Sequence, residues 1–78
     1  MKDKIFKILN GIRPEIDFRV KEDFFDDGFR DSIEFISFVN QLSAEFGIEI
    51  DGMDILPENF SDIEAIVNLL KSYNVKEQ

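Results

Sequence analysis

Residues 26–38 read DDGFRDSIEFISF, and their passage from a polar loop into a helical pattern decides the fold. After Asp31, apolar residues recur every three or four positions, which is the spacing of a helix with one wide buried face. Asp31 stands where an N-cap is expected, and Glu34 three residues later completes an Asp-led variant of the capping box. Ser32 is therefore predicted to be the first residue of a helix over 32–46.

The composition restricts both the size of the core and the available chemistry. The chain has 78 residues, of which 44% are apolar, and residues 1–78 are predicted to form one small domain. It contains no Cys and no His. Disulfides, thiol catalysis, the commonest zinc ligands and the usual general base for a serine nucleophile are therefore missing. We expect no catalytic residues, no metal site and no enzymatic activity.

The charge is strongly negative and unevenly distributed. The net charge is −8, and residues 22–64 contain thirteen acids against one base, Arg30. This surface should repel nucleic acid and attract a partner with a basic patch. No apolar run approaches the roughly 20 residues that span a bilayer, and residues 1–6 lack the continuous apolar core of a signal peptide. We therefore expect no membrane insertion and a cytoplasmic location.

The remaining patterns predict an all-α fold. Helical spacing over 2–12 ends before Pro14, and Gly47 is the expected stop for the second helix. Residues 56–60 suggest a short helical turn, and the last helix is predicted to begin at a Ser61 cap and to end near residue 73. The expected architecture is a small four-helix bundle, three longer helices and one short one, with a long loop between helices one and two. The loop should be anchored by four apolar side chains: Ile16, Phe18, Val20 and Phe24.

The stretch also carries a family resemblance. Asp31-Ser32-Ile33, after Asp26-Asp27-Gly28, resembles the Asp-Ser-Leu signature of acyl and peptidyl carrier proteins, and the helix order and acidity agree with it. The resemblance implies a 4′-phosphopantetheine arm, taken from coenzyme A and attached to Ser32 beside Asp31. It also implies that acyl or aminoacyl groups are carried on the arm as thioesters by a monomeric protein. The implied partners are a phosphopantetheinyl transferase that uses Mg²⁺, adenylating ligases, synthases and transferases.

Two departures bear on the subtype. Gly28-Phe29-Arg30 stands where carriers of fatty-acid synthesis typically have Leu-Gly-Ala, and the second helix has few acids. The chain is therefore more similar to D-alanyl and peptidyl carriers, or to stand-alone carriers of specialised pathways.

A docking surface is predicted around the serine. Ile33 would be its apolar anchor within a charged rim. The other expected partner-binding residues are Asp26, Asp27, Glu34, Asn40 and Ile55.

Two alternatives use the same residues. Positions 1, 5, 6, 9 and 12 of an EF-hand calcium loop over 23–34 are matched by Asp23, Asp27, Gly28, Asp31 and Glu34. Phe25 supplies no oxygen at position 3, and Arg30 replaces the usual apolar residue at position 8. A calcium-binding helical domain is thus the second hypothesis. The other alternative is that Ser32 is only a small polar residue in a capped first turn.

Overall fold

The computed structural model describes residues 1–20, 23–24 and 32–76, with only the backbone of Ser32. The described chain forms three α-helices and two 3₁₀ turns: α1 (Lys2–Ile12), α2 (Ser32–Phe46), the first turn (Gly52–Asp54), the second turn (Pro57–Asn59) and α3 (Ile63–Ser72). No strand occurs in these residues, so they confirm the all-α class. The short helical turn predicted over 56–60 appears as the second 3₁₀ turn, with Pro57 at its first position, and the first 3₁₀ turn was not predicted. Nowhere in the described ranges is a helix long and apolar enough to cross a membrane.

Helix α1 has the predicted bounds and contributes one face to the core. Its Ile5 and Leu9 are fully buried. They lie four residues apart, and residues at this spacing share one face of a helix. The helix ends at Ile12 because the residue before Pro14 is pushed away from the α region, and Arg13 there has φ −134° and ψ 78°.

Helix α2 also has the predicted bounds, and it packs against α1. Phe38, Val39 and Leu42 are buried, whereas Ile36 remains 46% exposed. The helix ends where Gly47 adopts φ +65°, a left-handed conformation that glycine accepts without steric cost.

The predicted cap of α3 is wrong by one residue. Asp62, rather than Ser61, is the N-cap: it is extended, with φ −151° and ψ 175°, and its Oδ1 accepts a 2.7 Å hydrogen bond from the amide of Ala65. The Ser61 hydroxyl instead donates to the carbonyl of Glu58, at 3.4 Å. The carbonyl of Ser61 accepts the amide of Phe24, at 2.6 Å, so Ser61 takes part in the contact with the loop after α1.

The loop after α1 is anchored largely as predicted. Phe18 and Phe24 are buried and meet edge to face, with ring centroids 5.3 Å apart. Ile16 is half-buried against the same core. Val20 is the exception, since it is 77% exposed and anchors nothing. It lies in a turn closed by the hydrogen bond from its amide to the carbonyl of Asp17, at 3.3 Å, which directs its side chain to solvent.

Tyr73, at the end of α3, fastens the segment that connects α2 to α3. Its hydroxyl donates to the carboxylate of Asp54, at 2.6 Å, and accepts the amide of Asp51, at 2.8 Å. The hydrogen bond to Asp54 raises the pKa of Tyr73, because the phenolate could not donate it and would face a carboxylate.

This bond predicts a loss of stability at alkaline pH. The folded pKa of Tyr73 lies above its unfolded value of about 10, so the stabilisation is complete below that pH and is lost as the pH rises through the folded value. Tyr73 is the only tyrosine and tryptophan is absent, so tyrosinate absorbance reports this residue alone. We expect a higher titration midpoint in the folded chain than in urea. Equal midpoints would contradict the proposed bond, and the Tyr73→Phe variant should lack this part of the alkaline destabilisation.

Candidate functional site

Helix α2 begins at Ser32, as predicted. The first-turn N–H groups of a helix have no intrahelical partner, and they carry the positive end of the helix dipole. A phosphate attached at this position would therefore meet hydrogen-bond donors and a favourable field. Asp26, Asp27 and Asp31 lie outside the described residues, so the Asp31 cap and the acidic part of the docking surface remain predictions.

Glu34, in the first turn of α2, has a partner on another element. Its Oε1 accepts a hydrogen bond from Nη1 of Arg13, at 3.3 Å, and the side chain is 26% exposed. Arg13 also donates from Nε to the carboxylate of Glu15, at 3.1 Å. Burial disfavours the charge on Arg13, but its hydrogen bonds and attraction to Glu15 and Glu34 outweigh this and raise its pKa. The acid closest to Ser32 in the described chain is thus paired internally.

Two apolar residues and one polar residue are exposed on the outer side of α2. Ile33 is 78% exposed, and Ile36 and Asn40 are exposed further along the helix. Residues three and seven positions apart lie on the same side of a helix, so these three share one surface. Ile55 is only half-buried and packs against the core, so only part of its side chain can contact a partner.

The EF-hand hypothesis is not favoured by the described residues. Helix α1 ends at Ile12, and the residues described from 13 to 20 form turns rather than the incoming helix of an EF-hand. Glu34, the would-be bidentate ligand at position 12, faces a guanidinium. The described residues contain no group of three or more His, Cys, Asp or Glu side chains able to hold a metal ion.

The role of Arg13 at this site was not predicted from the sequence. It is 6% exposed although arginine is seldom buried, and it contacts a residue 21 positions away. Arginines are common near the C-terminal ends of helices, where they are usually exposed, so nothing in the sequence indicated that this one is buried. Only the approach of α1 to the start of α2 shows that its partner is Glu34.

Comparison with known proteins agrees with this geometry. No curated protein and no solved structure gave a significant match. Among models of protein families, the one described as "Phosphopantetheine attachment site" matches residues 4–70, a range that contains all of α2 and most of α1 and α3. The chain therefore belongs to the phosphopantetheine attachment site family, whose members covalently attach 4′-phosphopantetheine.

Proposed function

We propose that this protein is a carrier that holds acyl or aminoacyl intermediates as thioesters on an arm attached to Ser32. The family match supports a phosphopantetheine carrier role. The observation that favours Ser32 is its position as the first residue of α2, directly after Asp31 as in the carrier signature. The other serines, Ser37, Ser43, Ser61 and Ser72, lack a preceding aspartate.

The attachment chemistry needs only a hydroxyl from this chain. The Ser32 oxygen forms a bond to the phosphorus of coenzyme A that bears the pantetheine, and the phosphoanhydride bond to the nucleotide breaks. Adenosine 3′,5′-bisphosphate leaves, and the serine proton passes to a base of the transferase, which also binds the Mg²⁺. The absence of Cys and His in this chain is consistent with this division, because the thiol that later holds cargo belongs to the arm.

Weak, fast contacts with several enzymes suit such a carrier. Tethering raises the effective concentration of cargo at each partner, so tight binding is unnecessary. The excess of acids over residues 22–64 favours partners with basic patches and speeds encounter. The partner-binding residues in this proposal are Asp26, Asp27, Ile33, Glu34, Asn40 and Ile55.

The pathway is proposed from the residues before the serine. Gly28-Phe29-Arg30 differs from the Leu-Gly-Ala pattern of fatty-acid carriers, which favours a D-alanyl, peptidyl or specialised stand-alone role. The partners in that case are an adenylating ligase and the synthase or transferase that receives its product.

The direct test is modification of the wild-type chain. Incubation with coenzyme A, Mg²⁺ and a broad-specificity phosphopantetheinyl transferase should add the mass of one arm, and fragmentation should place it on Ser32. A chain that takes up no arm under conditions in which another carrier is fully converted would refute the proposal.

The exposed apolar anchor gives a further prediction. The Ile33→Ala variant should raise the KM of the transferase for this carrier by about fivefold, because loss of a buried interface anchor typically costs more than 1 kcal/mol. Val20→Ala is the matched control, since Val20 is 77% exposed and Ile33 78%, but Val20 lies in the loop after α1. Thermal unfolding should be unchanged in both variants. An equal KM for the two variants would show that Ile33 is not part of the interface with the transferase.

A further inference from the structure

The buried guanidinium of Arg13 is held firmly at the end of α1. Its amide donates to the carbonyl of Leu9, at 3.0 Å, and its carbonyl accepts the amide of Ile16, at 3.2 Å. Its side chain is 8% exposed and ends in the ion pairs with Glu15 and Glu34. Burial of a cation is costly unless it is paired and hydrogen-bonded, so this side chain has little freedom to leave its carboxylates.

Glu34 transmits this constraint to the start of α2. It is two residues after Ser32, which places the two Cα atoms about 3 Å apart along the helix axis. The first turn is the part of a helix that opens most easily, because its amides lack intrahelical partners. The Arg13–Glu34 pair fastens this turn to the end of α1, across 21 residues of sequence.

We propose that Arg13 is a positioning residue for arm transfer: through Glu34 it holds the first turn of α2, and with it the backbone of Ser32, in the arrangement that the transferase requires. This inference rests on the proposed function of Ser32. Arg13 is too buried to serve as a contact for a partner. Its effect should therefore appear in the geometry of the transfer step rather than in the affinity of the transferase for the carrier.

Steady-state kinetics of arm transfer separate these two effects. In the Arg13→Gln variant, kcat should fall about tenfold, since a misplacement of about 1 Å can cost about 100-fold in rate. The KM should stay within about twofold of the wild-type value. Arg13→Lys keeps the charge and can reach one carboxylate, so its kcat should be intermediate. Arg19→Gln is the matched control: Arg19 is likewise paired with an acid, Asp3, at 3.3 Å, but its side chain is 58% exposed and it lies in the loop after α1. This variant should transfer at the wild-type rate.

Hydrogen exchange gives a readout that does not depend on modification. In α-helical geometry the amide of Ile36 donates to the carbonyl of Ser32 in the first turn of α2. The amide of Ile66 donates to the carbonyl of Asp62, at 3.2 Å, in the first turn of α3. Arg13→Gln should speed exchange at Ile36 by about fivefold or more relative to Ile66, because only the first turn of α2 loses its link to α1.

The outcomes distinguish failure of this inference from failure of the proposed function. A wild-type chain that accepts no arm refutes the function of Ser32, while the exchange ratio still tests the link between Arg13 and the first turn. An unchanged kcat in Arg13→Gln, a loss expressed only in KM, or an equal loss in Arg19→Gln would overturn the positioning role. If Arg13→Gln does not fold, Arg13→Lys provides the same comparison.

Discussion

The Ser32→Ala variant is expected to accept no phosphopantetheine arm, whereas the wild type should be fully converted. The loss should be complete, because the hydroxyl oxygen that forms the new bond to phosphorus is removed. The change should leave the fold intact, since alanine is the best helix former and the predicted cap is Asp31 rather than Ser32. Intact mass after incubation with coenzyme A, Mg²⁺ and the transferase is the measurement.

A serine five residues later in the same helix provides the control for this experiment. The hydroxyl of Ser37 accepts a hydrogen bond from the side chain of Gln41, one turn later in the same helix, at 3.1 Å. Ser37→Ala should therefore be converted as fully as the wild type. An arm on Ser32→Ala, or none on Ser37→Ala, would show that another residue is the acceptor or that the modification depends on something other than Ser32.

The Phe60→Ala variant should lose about 3–5 kcal/mol of unfolding free energy, the range for removal of a buried phenylalanine. Phe60 is fully buried, and its ring meets Phe35 and Phe38 edge to face at centroid distances of 5.2 and 6.2 Å. Truncation removes these contacts and leaves a cavity between α2 and the start of α3. Because small domains are marginally stable, this loss is a large part of the total.

Urea unfolding followed by circular dichroism measures this loss. Met53→Ala is the control, since Met53 is 84% exposed and should change the free energy by no more than about 0.5 kcal/mol. If Phe60→Ala is already unfolded in buffer, Phe60→Leu should show a smaller loss. A cost below about 1 kcal/mol for Phe60→Ala would mean that the three rings do not pack as described.

Features that depend on near neighbours in the chain were predictable. The bounds of α1 and α2 follow from the spacing of apolar residues, from Pro14 and from Gly47, and the structure has both helices as predicted. The resemblance of the Asp31-Ser32 stretch to the carrier signature is likewise contained in consecutive residues. The family match confirms the family, and the attachment of the arm to Ser32 stays a prediction. These signals are local because helix periodicity, capping and left-handed stops involve residues within about four positions.

Features that depend on contacts between distant segments of the chain were decided by tertiary packing and could not be predicted from the sequence. Ser61 and Asp62 are both good caps by type, and the contact of the Ser61 carbonyl with Phe24 accompanies the choice of Asp62. Val20 has the same apolar character as Phe18, yet only Phe18 reaches the core.

The same distinction applies to the site. The pattern around Ser32 was sufficient to nominate the serine and the helix that presents it, because both lie within one short stretch of chain. The burial of Arg13 and its pairing with Glu34 depended on how the loop brings the end of α1 to the start of α2. The two partners are 21 residues apart, so no local sequence pattern connects them. Their interaction depends on the distance and burial that the folded chain gives them.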